Sequence, residues 1–404
     1  MPAFTAFSTE RASGGPVVFD GLVIDLNRES TVPPPDLTPE ENDVGAHVGV
    51  GIYYLGAGVG GRGNRVVNSE IRGGWQFGLV LQRPDIVDVL DIEIENTRIH
   101  QCSGGVAIFQ ATATQVTSST LEHNTRVEEP KSNGISIVHS GDISLSGCSV
   151  IENGRHGILF QSCWDFRVID RVSNGNGFDP GAGRDQYGWG IVVGRGGDHG
   201  YAHDNSTNFV ISNNQCHDNW RSGITLDPTK HDENWLPQNT MGAVVGNVCS
   251  SSGEAGVHGI QLNRTDNVTV VGNMCYGMPN SGIVVTRATN ALVAGNIINS
   301  VAAAVEYGHH VVGPNHSYGN GREDLSVVET NQVDVAVLEP RERLALSAPH
   351  VGFFGAPPAP QPAAYDVQVT STDRSYDAAA TEVSEPANVL GTLIADLRSL
   401  GLIG

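Results

Sequence analysis

Lysine is nearly absent from this chain. Lys131 and Lys230 are its only lysines, and Lys plus Arg number 23 against 44 Asp plus Glu, a formal net charge of −21. So few cations argue against binding to a nucleic-acid backbone or an anionic membrane surface, both of which need clustered positive charge. An acidic, lysine-poor surface is typical of proteins that work in high salt, where counter-ions screen self-repulsion. Arginine-rich codon usage in an ordinary acidic protein is the alternative.

Three further absences exclude other classes of protein and of site. No apolar stretch approaches the length of about 18 residues that a membrane-spanning helix requires. Residues 1–16 lack a basic region followed by an apolar run, so no secretory signal is expected. The six cysteines show no spacing that indicates zinc. Cys216, Cys249 and Cys275 recur at one position of a repeat, where Ile298 follows, which predicts an inward stack of thiols rather than disulfides.

Glycine is abundant, with 50 residues, and it marks a repeat. A phrase of glycine, aliphatic, any residue and aliphatic recurs at intervals of 23 to 36 residues. The alternation predicts short strands, and the interval predicts a solenoid whose turns bury one another's apolar faces. The repeated glycines are Gly51, Gly78, Gly105, Gly134, Gly157, Gly190, Gly223, Gly259 and Gly282.

A second strand recurs with an asparagine at its end. Asn247, Asn273 and Asn296 follow glycine in three copies of one template, and Asn214 stands in a looser fourth copy. This predicts a ladder of stacked amides at a bend, although turn chemistry alone would also place asparagine there. At about 4.8 Å per turn, nine or ten turns give a rod about 45 Å long.

In these repeats the chain resembles the right-handed parallel β-helix superfamily, the pectate-lyase-like solenoids. The resemblance covers about residues 17–318 and implies an all-β fold. It does not select a function, because lyases, hydrolases, epimerases and non-catalytic viral spikes share the scaffold. The predicted organisation is an arm or cap over 1–16, the β-helix over 17–318, terminal strands over 319–346, and a Pro-rich linker with an amphipathic helix over 347–404.

The predicted C-terminal helix places five apolar residues on one face. A helix of about 15 residues is marginal alone in water, so this face needs a partner, and we interpret it as an oligomerisation element. The residues are Leu390, Leu393, Ile394, Leu397 and Leu400.

The same region carries a second resemblance. Val351–Gly355, Thr372–Asp377 and Leu390–Leu397, closing on Gly401–Ile403, resemble in order the C-terminal module of many tailed-virus and prophage structural proteins. The resemblance implies a virion component whose tail serves in trimerisation or attachment. Together with the acidic composition, it suggests a tailed virus of a salt-loving archaeon. A linker followed by a generic docking helix is the alternative.

Three long insertions hold the densest titratable side chains, and we expect them to stack at one edge of the solenoid. They are Ser173–Gly188, Gly194–Asn208 and Asp227–Gly242. In a glycoside hydrolase, carboxylates of these insertions would act as general acid and nucleophile while aromatic rings stack on the sugars. In a lyase, a lysine or arginine would act as the base, and calcium would neutralise the uronate of the substrate. Surface loops of an acidic protein also collect such residues without any function.

The candidate residues fall into three sets. The candidate catalytic residues are Asp227, Lys230, Asp232 and Glu233. The candidate glycan-binding residues are Tyr187, Trp189, Arg195, Asp198, His199, His203, Asp204, His231 and Trp235. Calcium, the only cofactor considered, could be held by Asp198, Asp204, Asp227 and Asp232.

One short stretch resembles the Asp-Pro motif of mannuronan epimerases, namely Asp179-Pro180. Asn176 stands where that motif has tyrosine and Gly181 where it has histidine, so epimerase activity is not expected. The outward positions of the glycine phrases are mostly small or apolar, which also disfavours an enzyme and suits subunit packing in a trimer. They are Ser136, Leu159, Val192, Thr225, Gln261 and Val284.

These observations favour a virion appendage such as a spike, fibre or capsid turret. Its expected partners are copies of itself, other virion proteins through the C-terminal module, and a host surface glycan or glycoprotein. A polysaccharide depolymerase, either a lyase or a glycoside hydrolase, is the alternative on the same scaffold. A secreted cellular enzyme is disfavoured by the lack of a signal and by the virus-like tail. No nucleic acid and no membrane insertion are expected.

Overall fold

The computed structural model forms two compact units, residues 1–345 and 346–404. In the second unit His350–Val351 pairs antiparallel with Ala359–Pro360. The predicted C-terminal helix, including all of its apolar face, lies outside the described residues, and no helix occurs among those that are described. The structure describes residues 7–9, 16–27, 50–55, 63–82, 91–125, 132–177, 188–194, 205–226, 239–252, 258–299, 302–312, 316–317, 325–328, 332–335, 344–346, 350–351 and 359–360.

The first unit is a right-handed parallel β-helix, which confirms the predicted fold class. Each rung contributes one strand to each of three series, which we call sheets A, B and C. Sheet A consists of Phe7–Thr9, Ile52–Leu55, Phe77–Gln82, Gly104–Phe109, Ile135–Val138, Ile158–Gln161, Ile191–Gly194, Ser222–Leu226, His258–Asn263, the first parts of Ser281–Ala294 and Ala302–Val312, Leu325–Val328 and Leu344–Leu346.

Sheets B and C follow sheet A in each rung. Sheet B consists of Val18–Asp20, Asn64–Val67, Ile92–Glu95, Thr112–Thr117, Gly141–Ser146, Trp164–Ile169, Ser206–Ser212, Asn239–Val245, Thr265–Val271, the second parts of the two long strands, and Gln332–Val335. Sheet C consists of Val23–Asp25, Glu70–Arg72, Arg98–His100, Thr120–Glu122, Ser149–Ile151, Val172–Asn174, Gln215–His217, Val248–Ser250, Met274–Tyr276, Ile297–Asn299 and His316–Ser317. Neighbouring strands in all three sheets run parallel, so one apolar core continues through the rod.

The repeated glycines mark the turn from sheet C into sheet A. There the backbone of one rung lies so close to the next that no side chain fits. A Cβ atom on Gly190 would lie 2.6 Å from the carbonyl oxygen of Gly223 and 2.8 Å from the amide nitrogen of Asn219. A Cβ on Gly259 would lie 2.5 Å from the carbonyl oxygen of Gly282. Glycine therefore recurs at these positions because neighbouring rungs lie too close together for a side chain, and not because the backbone conformation requires it.

Two asparagine ladders close the turns on either side of sheet C. The predicted one lies between sheets B and C: each side-chain amide donates to the next, from Asn214 through Asn247 and Asn273 to Asn296, over 2.8–3.0 Å. The sequence analysis missed the second, which lies between sheets C and A. It runs from Asn124 through Asn153 and Asn176 to Asn219 over 2.9–3.0 Å. Both ladders also bind backbone groups of the rung below: Oδ1 of Asn124 accepts from the Cys102 N–H over 3.1 Å, and Nδ2 of Asn247 donates to the carbonyl oxygen of Ile211 over 3.0 Å.

The cysteine stack is also confirmed. Cys216 pairs in register with Cys249, Cys249 with Cys275, and Cys275 with Ile298, all fully buried in sheet C. All six cysteines of the chain are free. Hydrogen bonds with Cys216 and Cys275, together with burial, hold the pKa of the Cys249 thiol well above its ordinary value. The stacked cysteines therefore pack as small apolar groups in the interior of sheet C.

One arginine interrupts this interior. Arg171 occupies the ladder position in the rung before Asn214 and is 1% exposed. Its Nη2 donates to the carbonyl oxygen of Val116 over 3.3 Å, whereas its Nε and Nη1, and Oδ1 of Asn214, have no hydrogen-bond partner. Burial lowers the pKa of Arg171 to about 10, so it stays charged at neutral pH. A buried charge without a counter-charge is destabilising.

Substituting Gly190→Ala should lower the free energy of unfolding by about 3 kcal/mol or more, because a methyl group there meets the backbone of the next rung. Gly272→Asn is the matched control. Gly272 has a φ of +67° with open space at its Cβ, and Asn213 occupies the equivalent turn position two rungs earlier at a φ of +56°. Thermal unfolding followed by circular dichroism should show a large loss for the first variant and little change for the second. Equal effects would contradict the close-contact explanation.

Substituting Arg171→Met should raise the free energy of unfolding by about 1–3 kcal/mol, because it removes an unpaired buried charge while keeping most of the side-chain volume. Arg167→Met, at an exposed position of the same rung, should change stability little and is the control. Chemical denaturation at neutral pH measures both. A less stable Arg171→Met variant would mean that the guanidinium has a compensating partner.

Candidate functional site on the outer face of sheet A

The outward side chains of sheet A form aligned rows because the strands stack in register. Val192 pairs with Leu159 below and with Thr225 above, and Thr225 pairs with Gln261. A second outward row stands immediately before the repeated glycines. It contains Asn133, His156, Trp189, Ser222 and His258. The two rows face the same side, since Asn133 donates from its amide to the hydroxyl of Ser136 over 2.9 Å.

The outward row of predicted positions is already buried within a single chain. Val192 and Thr225 have no exposed surface, Ser136 is 7% exposed and Val284 is 9% exposed. Leu159 and Gln261 are half-buried. The apolar character of this row therefore does not require a second copy to cover it, contrary to the suggestion that trimer packing explains it.

Trp189 is the centre of the second row and the one predicted site residue that the structure describes. Its ring centroid lies 4.9 Å from that of His156 on the rung below, and the Arg221 guanidinium carbon lies 5.5 Å from the Trp189 centroid on the other side. The cation over the indole face is an attractive arrangement. Nδ1 of His156 accepts a hydrogen bond from the Gly188 N–H over 3.4 Å, which fixes the ring.

Both histidines of this row are held neutral. Burial, aided by the charge of Arg155, sets the pKa of His156 well below its ordinary value. Burial, aided by the charge of Arg221, lowers the pKa of His258 from 6.5 to about 4. Nearby arginines and desolvation act in the same direction, since each disfavours the protonated ring. At neutral pH each ring can therefore both donate and accept a hydrogen bond.

Four polar atoms of this face have no hydrogen-bond partner although they are shielded from water. They are Nε1 of Trp189, Oγ of Ser222, Oγ1 of Thr225 and Nδ1 of His258. Three consecutive rungs contribute them. Trp189 is 6% exposed, Ser222 is 1% exposed and Thr225 is fully buried. Buried polar atoms in native proteins are normally paired, so this cluster indicates a place for ordered water or for the polar groups of a ligand.

The other predicted site residues lie outside the described residues. These are the candidate catalytic set, the candidate calcium ligands, and every candidate glycan-binding residue except Trp189. The strands that flank two of the insertions do agree with the sequence analysis. Segments 195–204 and 227–238 both follow sheet A strands, Ile191–Gly194 and Ser222–Leu226, that pair directly.

The third insertion was misplaced. Segment 178–187, with Tyr187, connects Val172–Asn174 of sheet C to Ile191–Gly194 of sheet A. It therefore joins the opposite end of the sheet A strand, and the expectation that all three insertions follow one edge is wrong. His156, Arg221 and His258 were not predicted from the sequence. The signal for the two histidines is their position immediately before Gly157 and Gly259, which only the strand register makes recognisable; Arg221 lies one position further from its glycine.

Two features were sought within the part of the chain that the structure describes: groups of metal-ligating side chains and long apolar helices. No group of three or more His, Cys, Asp or Glu within them is arranged to hold a metal ion. The same part of the chain contains no helix with the length and apolar character needed to cross a bilayer.

Two family profiles match parts of the chain. The family described as "Right handed beta helix region" matches residues 50–194, and "Periplasmic copper-binding protein (NosD)" matches residues 190–320. Each match covers less than half of the chain. Within the second match, the described residues do not offer a copper site, for the reason given above. No curated protein matches the sequence.

Solved structures with the same fold are distant in sequence. The periplasmic alginate epimerase AlgG is 14% identical, with a TM-score of 0.48 and 71% of each chain covered. The Azotobacter vinelandii mannuronan C-5 epimerase AlgE6 A-module is 15% identical, with a TM-score of 0.46, over 73% of this chain and 77% of that one. The Dettilon tailspike protein is 16% identical, with a TM-score of 0.45, over 70% of this chain and 58% of that one. These likenesses concern the fold and not the activity.

Lowering the pH from 7 to 5 should destabilise the protein through His258. The unfolded ring takes up a proton near its ordinary pKa of 6.5 and the folded ring only near about 4. The contribution of His258 is thus complete above about pH 6.5 and is lost as the pH falls towards 4, on the order of 1–2 kcal/mol by pH 5. Unfolding midpoints of wild type and His258→Gln should converge as the pH falls. A parallel decline in both proteins would contradict the assignment.

Proposed function

We propose that this chain is a homo-oligomeric virion appendage, a spike, fibre or turret, that binds a host surface glycan or glycoprotein along the outer face of sheet A. In this proposal it acts outside the cell after particle release. Two further contacts belong to the proposal: other copies of the chain, and other virion proteins through residues 347–404.

The polar side chains on the outer face of sheet A carry the glycan proposal. Trp189, Ser222 and Thr225 are shielded from water in the free protein, so the half-buried neutral ring of His258 offers the accessible polar group of that cluster. Half-buried Gln161, Gln261 and Asn263 extend the same face with amide groups. Sugars present closely spaced hydroxyls beside apolar ring faces, so they suit neutral donors and acceptors next to an aromatic ring.

Binding without cleavage fits the described face better than hydrolysis does. Glycoside hydrolysis generally requires two carboxylates that flank the scissile bond. No Asp, Glu or Lys occurs among the described outward residues of sheet A from Phe77 to Val284. The charged groups next to this face are Arg155 and Arg221, whose charge adds to burial in lowering the pKa of the neighbouring histidines.

The virion part of the proposal is supported by the sequence. Segments of residues 351–403 resemble the C-terminal module of tailed-virus structural proteins, and a β-helical rod is a scaffold that viral spikes use. A net charge of −21 also suits a surface that contacts sugars rather than nucleic acid.

A depolymerase is the second candidate, favoured by one topological observation. Segments 195–204 and 227–238 start from paired sheet A strands, so Asp227, Lys230, Asp232 and Glu233 belong to a segment that begins beside the polar cluster. Incubation with host polysaccharide distinguishes the two candidates. New reducing ends, or the ultraviolet absorbance of an unsaturated uronate, would favour the enzyme. Saturable binding with neither signal would favour the appendage.

Substituting Gln261→Leu should weaken glycan binding by about fivefold to tenfold, because it removes an outward hydrogen-bonding amide at similar volume. Stability should change little, since Gln261 is only half-buried. Gln115→Leu is the matched control, because Gln115 is an exposed amide on sheet B and not on sheet A. Binding is measured on an array of microbial surface polysaccharides and by calorimetry. Equal affinities of both variants and wild type would overturn the assignment of this face.

A further inference from the structure

The outer surfaces of sheets B and C change character along the rod. In the first rungs, one outward row of sheet B carries Arg65, Glu93 and Arg167. Charges there pair along the axis: Arg65 contacts Glu93 over 2.7 Å and Glu95 over 3.1 Å. These rungs are the ordinary solvated surface of an acidic protein.

The same row becomes apolar in the later rungs. Val210 pairs in register with Ala243, Ala243 with Thr269, and Thr269 with Leu292. Val210 is 42% exposed and Leu292 is 38% exposed. The neighbouring outward row of sheet B consists in these rungs of Ser212, Val245, Val271 and Ala294.

The apolar surface continues around the turn into sheet C. The turns are made by Gly246, Gly272 and Gly295, which have no side chain to separate the two faces. Beyond them, Val248, Met274 and Ile297 pair in register on the outside of sheet C. Met274 is 37% exposed, and Tyr276 on the same strand is 38% exposed.

We propose that this surface, which we call the B–C face, is the contact between copies of this chain in its homo-oligomer. It locates the self-association that the proposed function includes, and it does not depend on glycan binding. The B–C face consists of Val210, Ala243, Val245, Val248, Thr269, Val271, Met274, Leu292, Ala294 and Ile297.

The size of the B–C face suits a subunit contact. Four rungs about 4.8 Å apart and strands rising about 3.3 Å per residue give roughly 500–600 Å² on the two sheets. That is at the upper end of apolar patches on monomers and approaches the roughly 800 Å² per partner of a stable interface. Burial of such an area is favourable only against another apolar surface, because water is displaced from both.

The charge distribution is compatible with a second copy as the occupant. Two chains that each carry a net charge of −21 repel one another, so their contact is least opposed where acids are fewest; Asp266, in the next outward row, is the one acid on the four sheet B strands from Ser206–Ser212 to Ser281–Ala294. The ten residues of the B–C face include no Asp, Glu, Lys or Arg. The outward row of sheet A offers no comparable alternative, because it is already buried within one chain.

The arrangement of the B–C face predicts the symmetry. Two apolar surfaces meet at one corner of the rod, so the sheet B side of one copy can cover the sheet C side of the next. Such a contact joins two different patches, and it closes into a ring when the rotation permits. A trimer of parallel rods around the glycine turns is the smallest such ring.

The test uses the full-length chain in sedimentation velocity at fixed salt. Leu292→Glu damages the sheet B side and Met274→Glu damages the sheet C side; each alone should reduce the oligomer to monomer. Ser144→Glu, in the same outward row as Leu292 but in an earlier rung, should leave the oligomer intact. Unchanged circular dichroism would show that the exposed positions accept glutamate, and Val210→Arg provides a second sheet B variant.

Mixing separates the two kinds of contact. Each damaged variant keeps one intact side, so an equimolar mixture of Leu292→Glu and Met274→Glu should form a one-to-one dimer although neither associates alone. A monomeric wild type, an oligomer that survives both substitutions, or cross-links confined to a single chain would overturn the proposal. Single-site glycan affinity should be the same in the monomeric variants, so failure of this proposal is distinguishable from failure of the proposed function.

Discussion

The structure depends on how closely one rung approaches the next where sheet C turns into sheet A. At Gly190 and Gly259 the neighbouring carbonyl lies within 2.6 Å of where a Cβ would be. This spacing fixes the height of each rung, and parallel pairing then carries the same register through all three sheets. Because the register is continuous along the rungs that lead up to Ser281–Ala294, outward side chains there fall into straight rows; shifts occur only in the pairing of that strand with Ala302–Val312. The Trp189 cluster on sheet A and the B–C face are both products of that alignment.

Polar groups inside the rod are tolerated to different degrees. The two asparagine ladders satisfy buried turn backbone and repeat without interruption over four rungs each. Arg171 departs from this pattern, since part of its guanidinium is unpartnered in the interior. On the outer face of sheet A, unpartnered atoms are instead gathered on adjacent rungs. Buried polar atoms are normally paired, so this group of unpartnered atoms sets the outer face of sheet A apart from the ladders.

Sequence patterns predicted what repeats at a fixed place within the rung. The glycine phrase, the ladder from Asn214 to Asn296 and the cysteine stack were predictable for this reason, and all three are confirmed. The ladder from Asn124 to Asn219 was hidden because its members lie at variable distances, from 4 to 14 positions, before the next repeated glycine. The second outward row of sheet A was also hidden. Its members occupy the same position in successive rungs but are of different residue types: Asn133, His156, Trp189, Ser222 and His258. Titratable residues are densest in the long insertions, so the sequence placed the candidate site there. Segment 178–187 differs from the other two because it precedes a sheet A strand, which only the order of the strands in the structure shows.

A cryo-electron microscopy map of the full chain bound to a host surface polysaccharide is the most direct test of the central claim, that the aligned outer face of sheet A recognises glycan. The account predicts sugar density against this face, in contact with the half-buried side chains of Gln161, Gln261 and His258. Density that contacts only sheets B and C, or only the ends of the rod, would contradict it.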